Sequence, residues 1–486
     1  MSLRPHASAS AADRPDLMSR AVEWGILALV VLSPLPAASV QAWAILAIQL
    51  AVLSLAVLHI LTPGRGLVNE RLRKALEWPR VMALAFFSWI AFELIPLPPF
   101  LLRILSPNAL ALNAQYGLSS SASRFLGLSL VPSETVKAAS ALLAYFLLGF
   151  LVLRTFTSAK QIRRLITVII AMGVLEALYG MFELYRQSPR ILFYLKPSSL
   201  DSVSGTFVNR NHFAGYLEMI IPLVMGLIVA RAGLFSLSGL SWRRKFVAVT
   251  EKGLLVNLLL GLMTVVMAVA VVFSHSRSGI ATMALTFVFF FGFAALFKEK
   301  DSERKRLIRR FINGMFVLVI LLSVMIGIRS TVQRFSPDRV LHEGRSIIWS
   351  QTIHWIGRFP VFGTGLGTFA SLNPGSEVEG TLISFDHAHN EYLEYLMEVG
   401  TVGAALLLSL ILTMLGLSIA AWRSRTDPEV RGLALGGIVS CLSVLFHSVT
   451  DFSTHIPANA VLFSVVLSAT MAVAFLKRKP GRPLAS

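Results

Sequence analysis

Arg210, Arg277 and the adjacent pair His389-Asn390 are the residues of this 486-residue chain best equipped for chemistry. Guanidinium groups keep their charge and match phosphate oxygens two at a time. A neutral imidazole takes a proton from a hydroxyl near neutral pH. Together these groups suit transfer from a phosphate leaving group to a hydroxyl. Arg210 lies in Gly205-Thr206-Phe207-Val208-Asn209-Arg210-Asn211-His212, and Arg277 in Ser274-His275-Ser276-Arg277-Ser278-Gly279. Both are polar islands against apolar runs, with Asn209 and Asn211 as polar support. For any single arginine the plain alternative is snorkelling to lipid headgroups.

His389 is a stronger candidate base than His212 or His275. It lies in Asp386-His387-Ala388-His389-Asn390-Glu391-Tyr392, where Asp386 and Asn390 are placed to fix its tautomer. A structural loop histidine is the bland alternative. A metal set of Asp386, His387 and His389 is a further candidate. No other ligand-spaced cluster and no Asp-x-Asp accompanies it, so the expectation is a site without metal or cofactor.

These residues must be carried by membrane helices. Hydrophobic residues make up 55% of the chain and charged residues 14%, and the mean hydropathy is +0.69, which a soluble chain of this length does not reach. A helix crossing hydrocarbon needs roughly 20 mostly apolar residues. By that criterion about twelve spans are predicted, near Val22–Pro36, Trp43–Leu61, Val81–Leu97, Ala138–Leu153, Leu165–Leu184, His212–Ala230, Leu254–Phe273, Ile280–Phe297, Phe311–Ile328, Val402–Ala421, Leu433–Val449 and Ala460–Leu476. The runs lack the alternation of barrel strands. The expected class is an all-α polytopic membrane protein.

A net charge of +18 raises the question of nucleic acid, and its distribution answers it. With a cytoplasmic N-terminus, most Lys and Arg fall in inside connections: Arg71, Arg73 and Lys74; Arg163 and Arg164; Arg243, Arg244 and Lys245; Arg304, Lys305 and Arg306; Lys477, Arg478 and Lys479. That pattern is a topology signal, so membrane lipids and no nucleic acid are the expected partners. Arg210, Arg277 and His389 then share the opposite, periplasmic face. The single Cys441 falls in an apolar span and forms no internal disulfide.

Residues 1–20 read as a cytoplasmic, disordered N-terminus leading into an uncleaved first span, 21–204 as an N-terminal bundle, 205–476 as the region carrying the chemistry, and 477–486 as a basic cytoplasmic tail. External segment Pro98–Ser133 has proline and serine punctuation. The larger loop, residues 329–398, holds apolar residues at Ile347, Ile348, Trp349, Ile353, Trp355 and Ile356, consistent with an amphipathic interfacial helix. Gly363-Thr364-Gly365-Leu366-Gly367 then reads as a flexible turn; no βαβ unit surrounds it, so it is no dinucleotide site.

Four ordered segments resemble the O-antigen ligase and O-antigen polymerase superfamily of bacterial envelope glycosyltransferases. They are Gly205 to Tyr216; Ser276-Arg277-Ser278-Gly279; Gly344 to Trp349 with Pro360 and Gly363 to Gly367; and His389-Asn390-Glu391-Tyr392-Leu393 with Glu398, Gly400 and Gly403. The resemblance covers about Gly205–Ala420. It implies a GT-C-type enzyme that works without metal or nucleotide sugar. The donor would be an undecaprenyl diphosphate-linked glycan, and the acceptor lipid A-core for a ligase or the next lipid-linked repeat for a polymerase. It further implies that Arg210 and Arg277 bind the donor diphosphate, that Arg345 matches a recurrent position, and that His389 is the general base.

Ligase and polymerase differ only in acceptor, and the reading leans towards the polymerase because the later half of the large loop is poor in Arg. A non-enzymatic transporter or flippase would instead show polar residues through the bundle centre and repeated halves, whereas ionisable residues inside spans are few, chiefly Glu176, Glu183 and Glu218.

Charge parity generates the first prediction. A cysteine replacing Ser371 is labelled by an impermeant maleimide in intact spheroplasts, and one replacing Ser302 is not. The reverse labelling overturns the shared-face argument.

Overall fold

The computed structural model describes residues 17–61, 69–115, 126–187, 190–196, 201–232, 252–295, 345–372, 376–378, 381–383 and 385–477, with the single positions 314, 317 and 321. The chain is an all-α polytopic protein. Its first part comprises α1 (Leu17–Leu32), α2 (Ala42–Ile60), α3 (Glu70–Ala75), α4 (Glu77–Glu93), α5 (Pro99–Leu105) and α6 (Pro107–Gln115). The middle holds α7 (Pro132–Thr155), α8 (Ala159–Arg186), α9 (Arg210–Ala232), α10 (Lys252–Phe273) and α11 (Arg277–Ala295). Then come α12 (Arg345–Arg358), the short α13 (Phe369–Leu372), α14 (Glu391–Arg423), α15 (Pro428–His447) and α16 (Pro457–Ala474). Two 3-10 turns, Ala37–Ser39 and Ser453–His455, and two small antiparallel hairpins, β1 (Arg190–Ile191) with β2 (Tyr194–Leu195) and β3 (Ser376–Val378) with β4 (Thr381–Ile383), complete the described elements.

Among the described residues, nine helices are long and apolar enough to cross a membrane: α2, α7, α8, α9, α10, α11, α14, α15 and α16. The sequence reading expected twelve. Helices form at the first and third expected spans, α1 with 16 described residues and α4 with 17. Proline limits both: Pro34 and Pro36 follow α1, and Pro96 and Pro98 follow α4, and proline removes a donor and clashes with the preceding turn. The expected span Phe311–Ile328, the connection 298–310 and the tail 478–486 lie outside the described residues, as do 1–16.

Apolar side chains left exposed mark the lipid-facing surface. On α2, Trp43, Leu46, Leu50, Leu53, Val57 and Ile60 recur every three or four residues, one stripe of a helix. By contrast, the spanning window of α9 is entirely buried. α9 is therefore the central post.

Its closest neighbour is α15, and glycine makes the approach feasible. A Cβ on Gly226 would lie 2.6 Å from the Gly432 carbonyl oxygen, and one on Gly436 would lie 2.7 Å from that of Pro222. Small residues four apart let helix backbones touch in a membrane, where the apolar effect gives little drive for association. Ser440 Oγ adds a hydrogen bond to the Met219 carbonyl across the seam, at 2.6 Å.

The two extramembrane segments pack on each other. Leu102, Ala109, Leu112 and Leu128 cluster with Phe359 at the end of α12, and Asn108 donates to the Arg358 carbonyl at 2.7 Å. The glycine turn corrects its sequence reading: it is pinned, not flexible. Thr364 N donates to the Met397 carbonyl at 2.9 Å and Gly365 N to that of Glu398 at 2.7 Å. The turn meets a break in α14, where Gly400 has φ 64° and ψ −177°. A Cβ on Gly400 would fall 2.1 Å from the Val361 carbonyl oxygen, so backbone contact excludes a side chain there.

The second prediction concerns the α9–α15 seam. Gly436→Ala forces a Cβ onto backbone and lowers stability by roughly 1–3 kcal/mol, read as an earlier thermal unfolding midpoint in detergent. Gly292→Ala, with nothing within 4 Å of the added carbon, does not lower it.

Candidate active site

The entry to α9 is built by a carboxylate buried within a span. Gly205 takes a left-handed backbone, φ +54°, which lets the chain turn against α8. There Glu176 accepts from Thr206 N at 2.8 Å and from Thr206 Oγ1 at 2.9 Å. Asn209 Oδ1 accepts from Asn211 N at 2.8 Å, the bond of a helix cap. The supporting role expected of Asn209 is thus to start α9 at Arg210. Arg210 stands 3.9 Å from the exposed Asp201, a weak surface pair. Lys196, which the sequence reading did not single out, lies in the same field. Burial chiefly, and Arg210 beside it, pull its ammonium down to about 8 against the opposing effect of Asp201.

Arg277 begins α11 after the turn Ser274–Ser276. Ser274 Oγ accepts from Ser276 N at 3.2 Å, and Ser276 Oγ from Gly279 N at 3.1 Å. Gly279 faces α9: a Cβ there would meet Ala214 at 2.6 Å and Glu218 Oε1 at 3.0 Å. Val203 N donates to the Phe273 carbonyl at 2.9 Å. The Arg210 and Arg277 helices therefore start at the same end of the bundle, side by side. Both arginines are half-buried.

His389 sits at this end with a left-handed backbone, φ 50°, which costs a residue with a Cβ of the order of 1 kcal/mol. Its neighbour pins the loop. Ala388 N donates to Glu394 Oε2 at 2.8 Å, and the Ala388 carbonyl accepts from Trp349 Nε1 of α12 at 2.9 Å. Arg345, half-buried, begins α12 one turn before that tryptophan. Asn390 caps α14 by accepting from Leu393 N at 3.1 Å.

The partner of His389 is neither Asp386 nor Asn390. Asp386 is exposed. Instead Asp451, in the turn after α15, accepts from His389 Nδ1 at 3.2 Å. Asp451 is fully buried. His212 Nε2 stands 3.6 Å from its Oδ1 and His447 Nε2 3.7 Å from its Oδ2, while His447 Nδ1 donates to Glu218 Oε2 at 2.9 Å. Burial alone would raise the Asp451 carboxyl, but His212, His389 and His447 outweigh it and hold it well below the usual carboxylate range. Phe452 packs beneath the imidazoles, with ring centres 4.0 Å from His387, 4.5 Å from His212 and 4.9 Å from His389.

The metal set considered from sequence is not assembled. His389 turns to Asp451, whereas His387 Nδ1 meets Glu394 Oε1 at 2.6 Å. Glu394 also stands 3.5 Å from His455 Nε2. Asp451, Phe452 and His455 escaped the sequence reading. Their one signal is a polar run, Thr450-Asp451-Phe452-Ser453-Thr454-His455, between two apolar spans.

An ionised carboxylate accepts only, so His389 Nδ1–H donates and Nε2 is left as the basic nitrogen. A groove of about 1030 Å³ opens between α2, α4, α7, α14 and α16. Its lining is almost wholly apolar, with Glu391, Ser448 and Thr454 among the polar exceptions.

Residues 262–408 match the O-antigen ligase family model. The matched stretch includes Arg277, Arg345 and His389, and leaves Arg210 and Asp451 outside it. No curated protein matches the chain. Over that stretch this polytopic all-α membrane protein is similar to the O-antigen ligase family.

Proposed function

We propose that this chain is an inverting glycosyltransferase of the bacterial inner membrane, acting at its periplasmic face. It moves a glycan from undecaprenyl diphosphate to a sugar hydroxyl, as a polymerase of O-antigen or exopolysaccharide repeats or as a ligase onto lipid A-core. The observation that carries the reading is the His389–Asp451 pair beside the helix that begins with Arg210 and His212. The broad activity agrees with the superfamily. The apolar groove suits a long polyprenyl chain whose diphosphate must stay at the polar end.

In the reaction, His389 Nε2 takes the proton of the acceptor hydroxyl as its oxygen attacks C1 of the donor sugar. The new C1–O bond forms opposite the breaking bond to the diphosphate, so the anomeric configuration inverts. The electron pair leaves on the diphosphate, whose growing charge Arg210 and Arg277 stabilise, assisted by Lys196 and Arg345. Such donors count for more in a poorly solvated site than in water. Asp451 keeps His389 in the Nδ1–H tautomer and stabilises the imidazolium, as a triad carboxylate does. Base catalysis contributes ~10²–10⁴-fold; positioning and charge stabilisation contribute the remainder.

The test is transfer by purified protein from undecaprenyl diphosphate-linked oligosaccharide, with and without lipid A-core. A glycan ladder without core identifies a polymerase, and product only with core a ligase. In either arm Arg210→Ala and Arg277→Ala abolish transfer at normal expression, and Arg→Lys restores it in part because the two-pronged contact is lost. Donor binding weakens as pH rises through about 8, where Lys196 loses its proton, and Lys196→Ala flattens that dependence. Full activity of both alanine arginine variants would reduce these residues to lipid anchors.

His389→Ala retains donor binding and loses turnover. Asp451→Asn keeps the fold and lowers kcat by roughly 10²–10⁴-fold, with KM changed little, because the amide presents the wrong partner to Nδ1. His387→Ala, which removes no proton acceptor from the reaction, lowers turnover far less than His389→Ala. An active His389→Ala enzyme would refute the mechanism.

A further inference from the structure

Beside the Asp451 cluster lies a second group that the transfer chemistry does not use. Among the described residues, His387 Nδ1, Glu394 Oε1 and His455 Nε2 fall within 4.8 Å of one another. We propose that these three side chains bind one divalent transition-metal ion, Zn²⁺ by preference, which locks the loop carrying His389 in place. Nothing in the proposed transfer requires this ion as a reactant. The inference rests on the geometry of the three ligands alone, so it stands or falls separately from the transferase reading.

The separations are those of a site that needs only a small adjustment. His387 Nδ1 is 2.6 Å and His455 Nε2 is 3.5 Å from Glu394 Oε1. Ligands at ~2.0–2.1 Å from a tetrahedral ion stand ~3.3 Å apart. Relative to Glu394 Oε1, His387 backs away by less than an ångström and His455 closes by a few tenths, while the two imidazole nitrogens, within 4.8 Å of each other, draw to the same spacing.

The outer partners are those a metal site needs. A metal-bound imidazole is oriented when its other ring nitrogen donates to a carboxylate or carbonyl. His455 Nδ1 does so to Glu391 Oε1 at 3.1 Å. Glu391 is itself held by Ser448 Oγ, Thr454 Oγ1 and Thr454 N. The second oxygen of Glu394 accepts from Ala388 N at 2.8 Å. The His387 ring is stacked on Phe452, which sets its plane.

Donor type selects the ion. Two imidazoles and one carboxylate suit Zn²⁺, whereas Mg²⁺ and Ca²⁺ prefer all-oxygen shells. Three protein ligands leave a fourth position for water. Glu394 is 1% exposed at its side chain, but His387 and His455 are 29% and 17% exposed, so an ion can enter from the extramembrane end. The ligands come from the loop before α14, from α14 itself and from the turn before α16. One ion thus ties together three segments on which the position of His389 depends.

The test uses the full chain with a histidine-free tag, purified in detergent, stripped with EDTA and dialysed. Titration with Co²⁺ should reach one ion per chain and give the strong visible bands of a four-coordinate site, which Zn²⁺ then bleaches. Stripping should lower the thermal unfolding midpoint, and Zn²⁺ should restore it. His387→Ala and His455→Ala should each weaken Co²⁺ binding at least tenfold. His354→Ala, an exposed histidine on α12, should leave it unchanged. If the wild-type chain takes up no Co²⁺ or Zn²⁺, the proposal is overturned whatever the variants do, and the three side chains form only a hydrogen-bonded network. Bands that persist in both His387→Ala and His455→Ala overturn it equally.

Discussion

A carboxylate cannot remain ionised inside a membrane bundle unless donors replace the water it has lost. Asp451 is fully buried; His389 Nδ1 and Phe452 N donate to it, and imidazoles from three separate parts of the chain surround it within 3.7 Å. His212 belongs to α9, His389 to the loop before α14, and His447 to α15. Satisfying this one charge therefore obliges three segments to meet. The polar end of the molecule is organised around that meeting, with Phe452 as its apolar floor.

The meeting depends on how closely α9 and α15 approach. Gly226, Gly432 and Gly436 bring the two backbones to contact, which places Glu218 against His447 and His212 against Asp451. Buried carboxylates recur as joints of this frame. Glu176 holds the turn that launches α9, Glu218 fixes His447, and Glu394 fixes Ala388 next to His389. In a bundle where lipid-facing helices gain little from apolar association, such polar joints supply geometric definition. The strained backbone at His389 persists because its neighbours are bonded on both sides.

Much was legible in the sequence. Runs of apolar residues marked nine spans later found as long helices; polar islands singled out Arg210 and Arg277 and local chemistry His389, while Arg345 entered only through the family resemblance. At α1 and α4 flanking prolines end the helices at Leu32 and Glu93, where hydropathy alone extends the spans. The glycine-rich turn was misread because glycine permits both flexibility and close packing. Only the facing backbone of α14, broken at Gly400, shows which of the two applies.

What the sequence determined by itself was local: which segments are apolar enough for lipid, where charge gathers, and which side chains bear usable chemistry. These properties depend on a window of neighbours along the chain. The partners of His389 do not. Asp386 and Asn390 are adjacent in sequence, yet Asn390 serves as a helix cap and Asp386 faces outward. Asp451, 62 residues further on, is the carboxylate that His389 meets. The same holds for the meeting of His387 and Glu394 with His455. Such pairings are decided by helix packing, because only the folded bundle removes water from these groups and forces each to find its counterpart in another segment.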